Sequence, residues 1–218
     1  MPYPWEYDDR REFFKRAMVT LWANRISGDY AEFGCFEAQT FRMAYQESRD
    51  VNYTPKLWAF DSFEGLPPAE NDHPAWTPGR LAMSEDEFVR VLDEHQIPHD
   101  QYRTVKGFYC DSLFTPEAES YCRNIAMAYV DCDLYESAVD VLKFLRPRLK
   151  HGMVLVFDDY YCFWSDGIAG ERTAFLEMAA ELAADFNFLP WMRVGWHGQS
   201  FIVESRRHLK GIPVSGHL

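Results

Sequence analysis

The sequence predicts an open α/β sheet, mostly parallel, with helices on both faces and an antiparallel pair of strands at its C-terminal end. Three observations predict it. From Gly28 onward, short apolar runs alternate with longer amphipathic stretches, the pattern of repeated βα units. Two of the runs, Ile125–Val130 and Met153–Phe157, are apolar on both faces, as central strands of a parallel sheet must be. The last two extended segments are joined only by Gly195-Trp196-His197-Gly198, too short a link for a parallel crossover.

The elements follow in order. Residues 10–25 place Phe13, Phe14, Met18, Leu21 and Trp22 at helical spacing, so an amphipathic helix occupies an N-terminal extension, residues 1–27, ahead of an α/β domain over 28–218. Tyr30–Phe33 is a short strand ending at Gly34, with a helix after it to about Arg49. Lys56–Phe60 is the second strand and ends at Asp61. A loop with Pro67, Pro68, Pro74 and Pro78 leads to a helix near Ser84, where Ser84 and Glu87 fit a capping box. Tyr102–Lys106 is the third strand and Ile125–Val130 the fourth. Residues 135–149 read as a helix with Val139, Leu142, Leu145 and Leu149 on one face. Met153–Phe157 is the fifth strand, residues 170–185 a helix, and Phe186–Val194 with Gln199–Glu204 the closing pair. Five βα units and a C-terminal antiparallel hairpin make a seven-stranded, Rossmann-like sheet of the class I methyltransferase type. A plain dinucleotide-binding fold would end on a sixth parallel strand.

Composition narrows the class further. The 218 residues are 47% hydrophobic and 17% aromatic, so most of the chain should fold. Mean hydropathy is −0.36, and no apolar run approaches the roughly 18–20 residues that span a bilayer, so no membrane partner is expected. A net charge of −12 repels phosphate backbones, so nucleic acid is not an expected partner either. The N-terminus shows no basic segment followed by an apolar one, and the five cysteines are widely spaced with no Cys-x-x-Cys pair. A cytoplasmic location with reduced thiols is the expectation.

In a sheet of this kind, ligands bind outside the carboxyl ends of the strands. Those ends are acidic here: Glu32, Asp61, the Asp131-Cys132-Asp133 string and the Asp158-Asp159 pair. Asp131, Asp133, Asp158 and Asp159 at neighbouring strand ends would repel one another and raise one or more pKa values unless a cation relieved them. Oxygen ligands alone suit Mg²⁺ or Ca²⁺, and no histidine is adjacent in sequence to favour zinc. The competing reading is that Asp133 and Asp159 cap the helix or turn that follows. Asp61 is placed to accept hydrogen bonds from ribose hydroxyls, and Gly34 to let a ligand approach the backbone. Tyr160, Tyr161, Phe163 and Trp164 form either an acceptor wall or ordinary packing; His73 and His197 read as solvated loop histidines.

Several strings resemble those of the macrocin O-methyltransferase family. They are Glu32-Phe33-Gly34, Asp61-Ser62-Phe63-Glu64-Gly65-Leu66-Pro67, Gly107-Phe108 with Asp111, Asp131-Cys132-Asp133-Leu134-Tyr135-Glu136-Ser137, and Gly152 through Asp158-Asp159-Tyr160. The resemblance spans roughly residues 28–185. It implies S-adenosylmethionine and Mg²⁺ as cofactors and methylation of a sugar or phenol hydroxyl of a natural product. Carried over, Asp131, Asp158 and Asp159 hold the metal and Asp133 is the general base. Asp61, with Ser62, takes the ribose, Glu32 and Gly34 line the methionine side, and Gly107, Phe108 and Asp111 lie near the adenine. Where the family's first loop continues to a glycine pair, this chain reads Glu37-Ala38. The chain's partner is then a small hydroxylated acceptor, and the exposed-looking Tyr3 and Trp5 leave room for a homo-oligomer. Two other readings compete: a glycosyltransferase holding Mn²⁺ and a nucleotide sugar at Asp131-Cys132-Asp133, and a binding protein whose altered first loop has ended catalysis.

Overall fold

The computed structural model describes residues 3–68, 77–162, 167 and 170–209. The expectations for His73, Phe163 and Trp164 lie outside the described residues. Along the chain run α1 (Pro4–Ala23), β1 (Asp29–Phe33), α2 (Gln39–Asp50), β2 (Leu57–Asp61), α3 (Glu85–Glu94), β3 (Tyr102–Lys106) and α4 (Tyr109–Ser112). They continue with β4 (Ile125–Val130), α5 (Tyr135–Leu145), β5 (Val154–Phe157), α6 (Gly170–Glu181), β6 (Phe186–Val194) and β7 (Gly198–Ser205).

Among the described residues the strands form one seven-stranded sheet in the order β3-β2-β1-β4-β5-β7-β6. The first five strands are mutually parallel. β7 runs antiparallel to both β5 and β6, so the hairpin folds back and its second strand is the one that joins the sheet. The strand order reverses between β1 and β4, which opens a crevice at their carboxyl ends.

The two sheet faces carry separate cores. On one, Phe13, Phe14 and Met18 of α1 pack with Phe41 of α2, Phe88 and Leu92 of α3, and Met127 and Tyr129 of β4. On the other, Ala128 and Val130 of β4 meet Val141, Leu142 and Leu145 of α5 and Phe175 and Met178 of α6. This alternation along β4 is the period-2 consequence of the pleat, and it is why the strand reads as apolar throughout.

Several boundaries differ from the sequence reading, among them the end of α6 at Glu181 rather than 185, and three have a local reason. α1 starts at Pro4 rather than near residue 10, since a proline in the first turn gives up an N–H that no helical carbonyl would have accepted. α5 stops at Leu145 because Pro147 cannot donate, and the chain tightens into a 3₁₀ turn at Arg146–Arg148. α2 starts only at Gln39, because Glu37 and Ala38 adopt left-handed backbone with φ of 61° and 53°. The Ser84–Glu87 capping box forms as read.

Gly34 serves the fold as well as the site. A ligand was the expected neighbour; the closest approach is made instead by the Asp131 carbonyl, 1.7 Å from where a Cβ would stand, at a φ of +93°. The first and fourth strand ends can touch only if this residue is glycine. Gly34→Ala is expected to destabilise the protein by more than about 3 kcal/mol, read by urea denaturation.

Candidate active site

A cavity of about 320 Å³ sits over the crevice. Of the residues singled out from the sequence, Gly34, Asp61, Ser62, Phe108, Asp131, Asp133 and Asp159 line it. Glu32, Gly107, Asp111 and Asp158 are not among its lining residues. Phe36, Tyr109, Glu136 and Asp140 complete much of the wall, and no lysine or arginine is found on it among the described residues.

Asp61 organises the near side. Its Oδ2 accepts the Cys35 N–H at 2.6 Å and its Oδ1 accepts the Phe63 N–H at 2.7 Å, which fixes the loops after β1 and β2. The Ser62 hydroxyl also reaches Oδ1, at 3.5 Å, which leaves a lone pair on Oδ2 for a ligand. Glu32 lies beneath this loop, fully buried, and accepts from Thr40 Oγ1 at 2.6 Å and from the Tyr30 hydroxyl. Burial pushes its carboxyl up to about 8 against the opposing pull of those two bonds. Its role here is to brace the loop that carries Gly34, not to face the cavity. Near the third strand, Phe108, Tyr109 and Cys110 reach the wall while Gly107 bonds back to the Asp61 carbonyl at 2.9 Å.

The acidic cluster is resolved in three ways. Glu171, fully buried at the start of α6, accepts the N–H groups of Cys132 (2.8 Å), Asp133 (3.3 Å) and Asp159 (3.0 Å). One carboxylate thereby ties the loop after β4 to the loop after β5. Asp158 turns away from the cavity to Arg10 of α1, which grips both carboxylate oxygens, and to the Tyr129 hydroxyl. Burial alone would raise the Asp158 pKa, but the guanidinium wins and holds it below the usual value. Asp131, Asp133 and Asp159 remain at the cavity. Burial raises all three, followed by repulsion from Asp158 for Asp131 and Asp159 and from Asp159 and Glu171 for Asp133. Asp133 does not cap α5, whose N-cap is Leu134 with no side-chain bond.

One expectation is corrected, and one open alternative is decided. His197 is not a solvated loop histidine: its side chain is 12% exposed, with Nδ1 donating to the Asp158 carbonyl and Nε2 facing Arg10 at 3.2 Å. Nor is histidine remote from the acids, since His197 Nδ1 lies 3.5 Å from Asp159. Tyr160 is buried against Phe157, Phe175 and Phe201, so it is core and not acceptor wall. Among the described residues, the set of three candidate metal ligands lying within 4.8 Å of one another is Asp159, Cys162 and His197; Asp131, Asp158 and Asp159 do not meet that spacing. The Nδ1 proton of His197 is already committed to a carbonyl, so this set is not open to an ion.

Arg10, Glu171 and His197 were missed in the sequence. For the first two a signal was present: a charged residue in step with an apolar helical stripe. Arg10 precedes Phe13, Phe14 and Ala17, and Glu171 precedes Ala174, Phe175 and Met178.

Where a dinucleotide-binding sheet has its last parallel strand, this one carries the reversed β7, and the ligand cavity over the switch point is acidic. Those features make the chain an α/β methyltransferase in fold. A profile of the macrocin-O-methyltransferase (TylF) family matches residues 7–197, and the chain belongs to that family. It is 28% identical over 196 residues to demethyldecarbamoylnovobiocin O-methyltransferase of Streptomyces niveus, covering 84% of this chain and 73% of that one. It is 30% identical over 162 residues to 8-demethyl-8-(2,3-dimethoxy-alpha-L-rhamnosyl)-tetracenomycin-C 4'-O-methyltransferase of Streptomyces olivaceus, covering 69% of this chain and 60% of that one. The structure of the O-methyltransferase NovP has the same fold, with a TM-score of 0.72 at 24% identity over 91% of this chain and 80% of that one. No helix among the described residues is long and apolar enough to cross a membrane.

Two outcomes follow from this geometry. Glu171→Ala strands three backbone N–H groups and is expected to cost at least about 3 kcal/mol in chemical denaturation. Glu32 keeps its proton in the folded chain up to about 8, against an ordinary 4.5, while the unfolded chain releases it. Stability should therefore fall as pH rises through that window, by up to about 1.4 kcal/mol per pH unit, and Glu32→Gln should remove that part of the slope in melting curves.

Proposed function

We propose that the protein transfers a methyl group from S-adenosylmethionine to a hydroxyl of a sugar or phenolic natural product, with Asp133 as general base. The observation that carries this reading is the arrangement of Asp61 and the Asp131, Asp133 and Asp159 group on one cavity wall. The residues fit the donor. Asp61 keeps a free lone pair on Oδ2 for a ribose hydroxyl, Phe108 and Tyr109 offer apolar surface for a base, and the wall's acidic side chains suit a cation. S-adenosylmethionine, when bound, supplies an electrophilic methyl group on a sulfonium.

The chain's own residues do the rest. Asp133 accepts the acceptor's hydroxyl proton. Its raised pKa, from burial and then from Asp159 and Glu171, makes it a stronger base than a solvated carboxylate. Asp159 is the charged neighbour that raises this pKa most, so the two carboxyls ionise as a linked pair. Glu171 holds the Asp133 and Asp159 backbones at a fixed separation, so the base is positioned before the acceptor arrives.

The Mg²⁺ implied by the family resemblance is a separate matter. Asp131 and Asp159 lie on the cavity wall, but Asp158 is bound to Arg10 and the three-carboxylate set is not assembled. The donor set therefore does not fit the ion as that resemblance implies.

The relatives' names speak for small oxygen acceptors: one acts on a novobiocin precursor, the other on a rhamnosyl tetracenomycin. Family membership speaks against the glycosyltransferase reading. The binding-protein reading rested on the altered first loop, yet Glu37 and Ala38 hold the left-handed backbone that a glycine pair would supply.

Calorimetry with S-adenosylmethionine, S-adenosylhomocysteine and a uridine-diphosphate sugar tests the donor. Heat from the first two alone is expected; heat from the sugar nucleotide alone would overturn the proposal. Asp133→Asn is expected to lower kcat for a phenolic or sugar acceptor by about 10²-fold or more while donor affinity stays within about threefold.

A further inference from the structure

Arg10 is on the helix farthest in sequence from β5, yet it sits at the centre of the site's buried charge. Its side chain is 4% exposed and that of Asp158 7%. The guanidinium meets Asp158 with both of its terminal nitrogens, one to each carboxylate oxygen, with Nη2 3.0 Å from Oδ2. The same nitrogens reach the Tyr129 hydroxyl at 2.6 Å and Glu6 at 3.1 Å. Tyr129 in turn donates to Asp158 Oδ1, so three of the four lone pairs of Asp158 are filled. Asp9, one residue before Arg10, accepts the Gly195 N–H at 2.9 Å and ties α1 to the turn that carries His197.

We propose that Arg10 is the resident cation of Asp158: its guanidinium takes the place that a divalent ion would take there and removes Asp158 from the ligands open to such an ion. A metal bound by Asp158 would need an oxygen at about 2.0–2.2 Å, and the one lone pair left open, on Oδ2, lies beside a guanidinium whose positive charge repels the ion. The other carboxylates have no such partner. Asp159 has only the Cys162 thiol at 3.0 Å and His197 at 3.5 Å, and among the described residues no arginine or lysine lines the cavity beside Asp131 or Asp133, whereas Asp158 holds a bidentate guanidinium. Arg10 is a positioning residue in this account. It touches no cavity ligand, and it sets which carboxylates an added cation can reach. The inference stands on the geometry of Arg10 and Asp158, whichever acceptor is methylated.

Mn²⁺, which accepts the same oxygen ligands as Mg²⁺ and is visible by electron paramagnetic resonance, is the probe. Arg10→Met frees Asp158 and is expected to bind Mn²⁺ at least tenfold tighter than the unaltered protein. The gain should vanish in Arg10→Met/Asp158→Asn, which removes both charges. Where Arg10→Met folds poorly, Mn²⁺ should raise its melting temperature more than that of the parent or of the double variant. In the otherwise unaltered protein, Asp158→Asn should leave Mn²⁺ affinity within twofold. Equal affinity in the parent and Arg10→Met, a gain that survives loss of Asp158, or a tenfold weakening by Asp158→Asn alone would each overturn the proposal. Calorimetry with S-adenosylhomocysteine on the same samples reads donor binding separately, so failure of the methyl-transfer reading is distinguishable.

Discussion

Like charges converge at the carboxyl ends of β4 and β5, and much of the structure is organised around holding them there. Asp131, Asp133, Asp158, Asp159 and Glu171 come from two strand ends and one helix start. Left together in a buried place, they would take up protons or push the loops apart. The chain disposes of two of them. Glu171 is surrounded by three backbone N–H donors, and Asp158 by a guanidinium and a phenol. The remaining three are left at the cavity, where a base and a cation-attracting wall are useful. Selective neutralisation thus decides which acids are structural and which are chemical.

Part of the backbone strain lies around the same cavity. Glu37, Ala38, Phe63 and Asp133 all have positive φ, at 61°, 53°, 54° and 59°. Each such residue costs on the order of 1–3 kcal/mol and persists only where its surroundings hold it. Here the surroundings are specific. Asp61 binds the N–H of Phe63, Glu171 binds that of Asp133, and Ala38 is buried in the core with Phe41. At Phe63 and Asp133 the strained turns and the buried carboxylates are two halves of one arrangement, since Asp61 and Glu171 accept the N–H groups that those turns point inward.

The fold was almost fully legible because it rests on periodicity, which a sequence displays directly. β3 and β4 fall at the residues read from the pattern, and the reversed closing pair follows from a four-residue link. The site was legible only as far as strand ends reach. Asp61, Asp131, Asp133 and Asp159 are on the cavity wall because a strand's last residues must be there. What each acid bonds to was not legible. Arg10 and Asp158 are 148 positions apart, and nothing in the spacing joins them. Glu32 looked like a ligand contact because it precedes a turn, but that place also suits a buried brace, and only Thr40 and Tyr30 decide between the two. Left-handed backbone at Glu37 and Ala38 was invisible for the opposite reason: neither residue announces it as glycine would.

The N-terminal helix has to be weighed in the same terms. Its apolar face, Phe13, Phe14, Ala17, Met18 and Leu21, would dock it on the sheet by burial alone. Burial is non-directional and would tolerate a slide or a turn of the helix. Arg10 removes that freedom, because a bidentate pair with Asp158 allows one position and one rotation. Removing either partner leaves the other buried and uncompensated, a penalty of about 3–5 kcal/mol, so helix docking and the order of the β5 end are energetically one event. The family profile starts at residue 7 and ends at residue 197, and the polar cluster of Asp9, Arg10, Asp158 and His197 joins those two extremes. A site whose charge balance is set from the first helix is complete only when that helix is in place.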